Sequence, residues 1–341
     1  MFRFIVHMSA TIFLLILTTA GTGESSDLSK ARSFFKGKTI TWMIGSTPGG
    51  SVDGYSRLVG PYFAKHAGAK VVLQNRPGGG GVAAFNYVYS KAKPDGLNVA
   101  FHIGSTQVLS KITGRAGMNY DIGKMSWIGV VAPTSNTFTV YKKRFQTLDD
   151  VKRAGKIRWG LTRPGGNNHF IGITLAKVLG IDVQFVPGYA GSSSVRQALL
   201  SGEVDVAAYP ATLFASGVKE GLVVQLITMG DRRHPAAPDT PTLQEVVKKI
   251  PSPFDTWTDI SKVGWFVMGP PNLPKDKLEF LRLALKKATD DPEMLKKAKK
   301  QQFDIGYLDP VEARKVAMAM LEMSDDQKDD LRRMLRLEGN P

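Results

Sequence analysis

Two short glycine loops in this sequence have the residue types that can hold an anion. One is Pro48-Gly49-Gly50, and the other, 116 residues later, is Pro164-Gly165-Gly166. Each loop follows an apolar segment and precedes an amphipathic one, so each is predicted to present the N-terminus of a helix. The first N–H groups of a helix have no partners inside the helix, and the helix dipole is positive there. Two such ends facing each other across a cleft could hold a carboxylate between them.

Polar side chains accompany both loops. Asp53 follows the first loop, where a carboxylate complements the helix dipole as a cap, contributes to specificity, or does both. His169 stands at the start of the second helix, a position equally consistent with a capping or surface histidine. Asp205 begins a later strand, where a solvent-exposed carboxylate is the simpler interpretation. Hydroxyl and amide side chains complete the set: Ser46, Thr47, Ser51, Ser105, Thr106, Asn167 and Asn168.

The remaining chemistry of the chain argues against catalysis. The absence of cysteine excludes disulfides, thiolate chemistry and cysteine-ligated zinc. The histidines are not at metal-ligand spacing, and no Walker A loop, H-E-x-x-H or G-x-S-x-G motif is present. The glycine run Gly78–Gly81 follows the second strand rather than the first, which disfavours dinucleotide binding. We therefore expect a binding protein with no catalytic residue, metal or cofactor; an exported hydrolase or isomerase using His169 with Asp53 is the alternative from another class.

Strands and helices must position the two loops, and the apolar pattern predicts both kinds of element. Thr39–Ile44 has the pattern of a strand, and the stretch from about Asp53 to Ala67 carries one apolar stripe of a helix, ended by Gly68. A strand at Lys70–Leu73 follows. The same order recurs over Ile157–Val186. Strands that alternate with helices indicate mostly parallel sheets, so the sequence predicts two α/β lobes.

The chain is predicted to cross between the lobes at least twice. We place the first lobe at residues 36–128 and the second at 129–245. Residues 246–341 are expected to return to the first lobe, and from Lys275 onward they have a helical pattern. Proline behind an aspartate cap predicts helix starts at Asp291-Pro292 and Asp309-Pro310.

The N-terminus predicts export. Met1–Gly23 has Arg3 near its start, an apolar run and then small residues, as a secretory signal peptide does, with cleavage after Ala20 or Gly23. A membrane anchor is the alternative, but the apolar run is short for a span of about 20 residues. The net charge of +15 favours anionic partners. Because the lysines are not interleaved with aromatic residues, the chain is not expected to bind nucleic acid.

Several motifs then carry a family resemblance. Pro48-Gly49-Gly50-Ser51-Val52-Asp53 with Arg57 resembles the P-G-G-x-x-D-x-x-x-R segment of the solute receptors of tripartite tricarboxylate transporters, the Bug or TctC-like family. Val71–Gly80 is similar to that family's V-V-x-N-R-P-G-x-G-G, and Lys93–Gly96 is similar to its A-x-P-D-G turn. Gly202–Val206 and Pro238–Leu243 match further segments in the same order.

The resemblance implies a two-lobed periplasmic-binding-protein fold, type II-like, in which each lobe is a mostly parallel sheet flanked by helices and the ligand cleft lies between the lobes. It implies a periplasmic receptor, expected to be a monomer, that delivers a small organic acid to the membrane permease subunits of a tripartite tricarboxylate transporter. An exported sensor for a signalling system is the alternative. Carried over by position, the ligand-binding residues are Ser46, Gly49, Gly50, Asp53, Ser105, Thr106, Gly166, Asn167, Asn168, Tyr189, Ser192 and Asp205.

The chain departs from the family pattern within the presumed pocket. Ser46 stands where the family often has an aromatic residue, and Val186–Gly191 has an extra glycine and no lysine. The second loop, Arg163–Asn168, replaces the family's usual G-x-G-S. The ligand is therefore not restricted to tricarboxylates by the sequence.

Overall fold

A computed structural model describes residues 22–230, 232–250 and 261–337. The predicted signal peptide, Met1–Gly23, lies outside these residues except for its last two positions. Across the described ranges, none of the helices combines the length and the apolar character that a membrane span requires.

Strands and helices alternate along most of the chain, as the apolar pattern predicts. The strands are β1 (Thr39–Ile44), β2 (Lys70–Asn75), β3 (Asn98–Ile103), β4 (Ser126–Val130), β5 (Asn136–Tyr141), β6 (Ile157–Gly160), β7 (Val183–Val186), β8 (Val206–Pro210), β9 (Val223–Met229) and β10 (Trp265–Gly269). The helices of the first lobe's leading segment are α1 (Thr22–Phe35), α2 (Ser51–Ala67), α3 (Val82–Ser90) and α4 (Gly104–Ile112). They are followed by α5 (Leu148–Arg153), α6 (Asn167–Leu179), α7 (Ser192–Ser201), α8 (Ala215–Lys219), α9 (Leu243–Val246), α10 (Lys275–Thr289), α11 (Pro292–Lys300), α12 (Pro310–Leu321) and α13 (Asp325–Leu337).

The strands form two five-stranded sheets with the same topology. The first sheet has the order β2-β1-β3-β10-β4, and the second has the order β7-β6-β8-β5-β9. In each sheet the strand in the fourth position is antiparallel to both neighbours, while the other strand pairs are parallel. This confirms the predicted pair of mostly parallel α/β lobes. The predicted boundary between residues 128 and 129 falls inside β4, which belongs to the first sheet.

Two chain segments cross between the lobes, and they pair with each other. The Val131 N–H donates to the Trp265 carbonyl at 2.7 Å, and the Trp265 N–H donates to the Ala132 carbonyl at 2.8 Å. Gly264 lies so close to the other segment that a Cβ on it would be 2.1 Å from the Ala132 carbonyl oxygen. A side chain at Gly264 would therefore force the two crossing segments apart, which explains the glycine at this position.

The helix α2 is formed by the residues that the apolar stripe predicts. Tyr55, Leu58, Val59 and Phe63 are buried against the first sheet. Gly68 ends the helix with φ of 62°, the left-handed conformation that favours glycine. Because the stripe fixes α2 against the sheet, the N-terminus of α2 and the glycine loop before it lie at the carboxyl edge of the sheet.

The helix α4 was not predicted, because its start lacks a capping side chain. The apolar pattern of Leu97–Ile103 predicts a strand that ends at Gly104-Ser105-Thr106, whereas the structure begins α4 at Gly104. The Gly104 N–H donates to the Gly264 carbonyl at 2.7 Å, and the Ser105 N–H donates to the Val263 carbonyl at 2.9 Å. The crossing segment thus satisfies the free N–H groups that a Ser or Asp cap would otherwise satisfy.

The C-terminal helices pack mainly on the first lobe. The helix α10 lies against α1, α2 and β4, and α12 lies against β4 and α4. Asp291 and Asp309 cap α11 and α12, each with proline at the first helical position, which confirms both predicted starts.

Candidate ligand-binding site

The two Pro-Gly-Gly loops have the same backbone conformation. Gly49 and Gly165 have φ of 78° and 69°, values that favour glycine. Gly50 and Gly166 are the extended N-cap residues of α2 and α6, and neither helix receives a side-chain cap there. Each lobe therefore directs uncapped helix N–H groups from the carboxyl end of its sheet.

In the first lobe, a carboxylate closes the loop. Asp53 Oδ2 accepts from the Gly49 N–H at 3.0 Å, and Arg57 donates to both carboxylate oxygens at 2.8 and 2.9 Å. Asn75 donates to Asp53 Oδ1 at 2.9 Å and to the Ser46 carbonyl at 3.0 Å. Although burial opposes ionisation, the hydrogen bonds from Arg57, Gly49 and Asn75 hold the pKa of Asp53 below its ordinary value.

In the second lobe, a histidine takes the equivalent position. His169 Nδ1 accepts from the Gly165 N–H at 3.0 Å, four residues on, as Asp53 does from Gly49. His169 is buried, and burial lowers its pKa to about 4. The ring is therefore neutral at neutral pH. The second loop is closed by a group that carries no charge.

A cavity of about 350 Å³ lies between the lobes where the two loops meet. Its first-lobe wall consists of the β1–α2 loop, the glycine run before α3, the end of β3 and the residues around α4. Its second-lobe wall consists of the start of β5, the loops before α6 and α7, and the end of β8. The residues that line it are Gly45–Thr47, Ser51, Val52, Pro77–Gly80, His102, Ile103, Thr106, Arg115, Asn136, Thr162, Arg163, Gly166–Asn168, Tyr189–Ser192 and Ala208–Pro210.

Buried polar atoms on this wall lack a hydrogen-bond partner within the described part of the chain. Ser51 Oγ belongs to the first turn of α2, and Asn167 Oδ1 belongs to the first turn of α6. Two further atoms on the wall also lack a partner among the described residues: Asn136 Oδ1, at the start of β5, and Arg115 Nε. Because an unsatisfied buried polar group is costly, their concentration on one cavity indicates a site for a polar ligand.

Two arginine side chains on the wall have no carboxylate partner among the residues that the structure describes. Arg115 follows α4 in the first lobe, and Arg163 precedes the glycine loop of the second lobe. Neither forms an ion pair within the described ranges of the chain. Burial, together with the repulsion between these two cations, lowers the pKa of Arg163 to about 10. Both guanidiniums stay protonated at neutral pH and give the cavity a positive potential.

Arg163 extends across the cleft to the first lobe. Its Nη2 donates to Ser110 Oγ of α4 at 3.2 Å. Its guanidinium lies on Gly80, where a Cβ would come within 2.2 Å of Arg163 Nε. Gln107 holds Gly80 in place by donating to its carbonyl at 2.9 Å, and the Tyr120 hydroxyl donates to Gln107.

A second contact joins the lobes at the other side of the cavity. The Ser51 N–H of α2 donates to Ser192 Oγ at the start of α7, at 3.2 Å. A Cβ on Gly191 would be 2.6 Å from Thr47 Oγ1. The lobes are therefore in direct contact on both sides of the cavity.

The structure brings seven of the predicted site residues to the cavity and leaves five away from it. Asp53 already accepts hydrogen bonds from Arg57, Gly49 and Asn75. Asp205, directly before β8, forms ion pairs with Arg158 and Arg144. Those on the wall are Ser46, Thr106, Gly166, Asn167, Asn168, Tyr189 and Ser192. Those away from it are Gly49, Gly50, Asp53, Ser105 and Asp205.

Several wall residues were missed by sequence reasoning. Arg115 follows the unpredicted helix α4, so nothing in the sequence placed it near a loop. Arg163 stands directly before the second Pro-Gly-Gly loop, and an arginine without a nearby acidic residue was a signal that could have identified it. Within the described residues, no group of three His, Asp or Glu side chains is placed to hold a metal ion.

Comparison with known families places the chain among receptors. The family model described as tripartite tricarboxylate transporter family receptor matches residues 56–326. The UPF0065 protein in the gbd 5′ region of Cupriavidus necator is 31% identical over 238 residues, covering 67% of this chain and 70% of the relative.

Two solved structures share the fold. MatC from Rhodopseudomonas palustris, solved with bound malate, has a TM-score of 0.69 at 20% identity and covers 88% of this chain and 99% of its own. The periplasmic binding protein BugD has a TM-score of 0.72 at 20% identity, covering 87% of this chain and 97% of its own. At this identity the two structures establish the two-lobed periplasmic-binding-protein fold.

Proposed function

Because the chain belongs to the tripartite tricarboxylate transporter family of receptors, we propose that it binds a small organic carboxylate in the cavity between its lobes. The family consists of receptors rather than enzymes, in agreement with the expectation from the sequence. The ligand would be held by groups of both lobes, so binding and lobe closure would be one event.

The observation that carries the proposal is the pair of arginines on the cavity wall that have no carboxylate partner in the described part of the chain. Arg115 and Arg163 keep their charge while partly buried, and an anion would relieve their repulsion. A guanidinium binds a carboxylate through two parallel hydrogen bonds, which suits a carboxylate ligand. The malate bound by MatC, a protein of the same fold, is consistent with this ligand class.

The uncapped helix ends supply the remaining donors. The first turns of α2, α6 and α7 all reach the cavity, and each contributes a lining residue, Ser51, Asn167 and Ser192. Asn168 is less available, because its amide already accepts from Trp159 Nε1 at 2.7 Å and donates to the Gly160 carbonyl at 3.2 Å. Asn168 therefore shapes the wall, while Ser51 Oγ and Asn167 Oδ1 have no hydrogen-bond partner among the described residues.

A screen of the mature chain by thermal unfolding tests the ligand class. Malate, succinate, citrate, benzoate and neutral amides of the same acids are added in turn. A carboxylate at 100 times its dissociation constant should stabilise the protein by about 2.7 kcal/mol. A neutral amide should produce no shift. If the amides stabilise the protein and no carboxylate does, the proposed function is wrong.

We further propose that the protein works in the periplasm, exported by its N-terminal segment, and delivers its ligand to permease subunits of a tripartite transporter. In cells that carry those subunits, uptake of the stabilising carboxylate should require this receptor. Uptake that is unchanged when the receptor gene is deleted, in cells with no second receptor for that acid, would refute delivery and favour a sensing role.

A further inference from the structure

The guanidinium of Arg163, in the second lobe, occupies a site built by the first lobe. It lies on the backbone of Gly80, and its Nη2 donates to Ser110 Oγ at 3.2 Å. Gly80 has a left-handed φ of 67°, and a Cβ there would come within 2.2 Å of Arg163 Nε. Glycine is therefore required at position 80 both by the backbone and by the arginine that lies on it. We call Gly80 and Ser110 the Arg163 seat.

Buried side chains of the first lobe hold this seat in place. Gln107 is fully buried, donates to the Gly80 carbonyl at 2.9 Å and has its Nε2 3.0 Å from His102 Nδ1. The Tyr120 hydroxyl donates to Gln107 Oε1. Neither Gln107 nor Tyr120 lines the cavity. A buried polar network within the first lobe, rather than the ligand, therefore determines where the seat lies.

The arginine and its seat come from opposite lobes. Gly80 follows β2 of the first sheet and Ser110 belongs to α4, whereas Arg163 follows β6 of the second sheet. Arg163 can therefore occupy the seat only when the lobes are closed. Its planar, rigid guanidinium suits a contact with a flat stretch of backbone. Because Arg163 stands where the second loop departs from the family pattern, the family resemblance does not imply this contact.

Resting on the proposed function, we propose that Arg163 is a latch that stabilises the closed lobes, and that Gly80, Gln107 and Ser110 are positioning residues for ligand binding. They hold the guanidinium in the closed arrangement, and with it the cation that the ligand meets. Gln107 and Ser110 affect affinity in this scheme although neither lines the cavity. Since the latch engages only on closure, its loss acts on ligand dissociation more than on association.

The variant Gly80→Ala tests the seat, because its methyl group takes the place of the guanidinium. The probe is whichever of malate, succinate, citrate and benzoate stabilises the wild type most. We expect its affinity to fall about tenfold, through a faster dissociation rate measured by stopped-flow tryptophan fluorescence. The control Gly68→Ala has similar backbone strain, with φ of 62°, but its Cβ meets no atom within 4 Å. It lies at the far end of α2 and should bind the probe as the wild type does.

A double-mutant cycle isolates the contact between Arg163 and Gly80. Arg163→Ala alone should weaken probe binding by more than about tenfold. Adding Gly80→Ala to Arg163→Ala should cost less than about twofold further, because the guanidinium that the methyl group displaces is already gone. If Gly80→Ala weakens binding equally with and without Arg163, the glycine serves the ligand or the backbone instead, and the inference is overturned.

A distance measurement on the free protein tests the latch without a ligand. The chain has no cysteine, so Lys91→Cys in the first lobe and Lys177→Cys in the second, both exposed, can each carry one spin label. Because the seat consists of protein atoms alone, the latch should hold part of the free protein closed. Gly80→Ala and Arg163→Ala should reduce this closed population, and Gly68→Ala should not.

The outcomes separate the two proposals. Label distances that are unchanged in both Gly80→Ala and Arg163→Ala overturn the latch and leave the receptor function standing. If none of the four acids binds the wild type, the proposed function fails, and the label distances still decide whether Arg163 holds the lobes together.

Discussion

The two Pro-Gly-Gly loops share a backbone but differ in charge. Both place a left-handed glycine before an uncapped helix, and in both the N–H of that glycine is accepted by the side chain four residues on. In the first lobe that side chain is Asp53, which Arg57 neutralises. In the second lobe it is His169, which is neutral, and Arg163, directly before the loop, pairs with no carboxylate among the described residues.

This difference shows how a repeated element acquires two roles. The Asp53–Arg57 pair satisfies its own charges, so the first loop contributes helix N–H groups and hydroxyls to the cavity. Under the proposed function, the second loop leaves its cation, Arg163, for the ligand. A carboxylate at position 169 would add a negative charge to this loop, whereas the neutral histidine adds none.

The largest expected effect is on stability, from Asp53→Ala. The change removes the acceptor of the Gly49 N–H, of Asn75 and of Arg57, and Asp53 itself is buried. We expect a loss of about 2–3 kcal/mol in the free energy of unfolding, measured by urea titration. The variant therefore tests whether the Asp53 carboxylate has a structural role.

The control for Asp53→Ala is Asp150→Ala. Asp150 also accepts from backbone N–H groups and pairs with an arginine, Arg153, but it is partly exposed on α5. A clearly smaller loss is expected there. Equal losses at the two positions would mean that burial adds nothing to the bonds of Asp53.

The next effect is on affinity, from His169→Asp, which gives the second loop the chemistry of the first. The new carboxylate can still accept from the Gly165 N–H, and it adds a negative charge three residues after Gly166, the last residue of the loop. We expect carboxylate affinity to fall about thirtyfold, which is about 2 kcal/mol. The variant His169→Asn retains a neutral acceptor and should bind within threefold of the wild type. If both variants bind alike, charge at position 169 does not matter.

Much of the fold could be predicted because its signals are local. The strand β1, the apolar stripe of α2 and the terminal Gly68 are set by residues close together in the sequence. The recurrence of Pro-Gly-Gly at the same distance from strand and helix identified the second lobe. The helix α4 could not be predicted, since carbonyls of residues 263 and 264 cap it and these lie about 160 positions away.

The site was less predictable, because its charges depend on contacts between lobes. The sequence shows Asp53 as an available carboxylate, but only the fold shows that Asn75 and Arg57 occupy it. The orientation of Arg163 depends on Gly80 and Ser110, both in the other lobe. Such residues can be assigned to a ligand only after their possible partners in the protein have been excluded.

As the pH falls, the stabilising contribution of the second Pro-Gly-Gly loop should be lost before that of the first. His169 has a folded pKa of about 4, below its ordinary value, so between pH 6.5 and 4 the unfolded chain binds a proton that the folded chain does not. Its contribution to stability is complete above pH 6.5 and falls by about 1 kcal/mol per pH unit below it. Asp53 has a depressed pKa, so its contribution persists at pH 5 and is lost only at lower pH. Between pH 7 and pH 5 the melting temperature should change less for His169→Asn than for the wild type. The same pH dependence in both proteins would contradict the assignment.

The smallest expected effect comes from Ser192→Ala, at the contact between the two helix ends. Ser192 Oγ accepts from the Ser51 N–H across the cleft, so the alanine variant leaves that N–H to the ligand or to water. A neutral hydrogen bond contributes about 0.5–1.5 kcal/mol, so affinity should fall about threefold, with little change in the melting temperature of the free protein. The exposed Ser216→Ala, which alters a contact with Arg196 within the second lobe, should change neither quantity. A tenfold gain in affinity in Ser192→Ala would mean that Ser192 competes with the ligand for the α2 N-terminus, and the two loops would then differ in access as well as in charge.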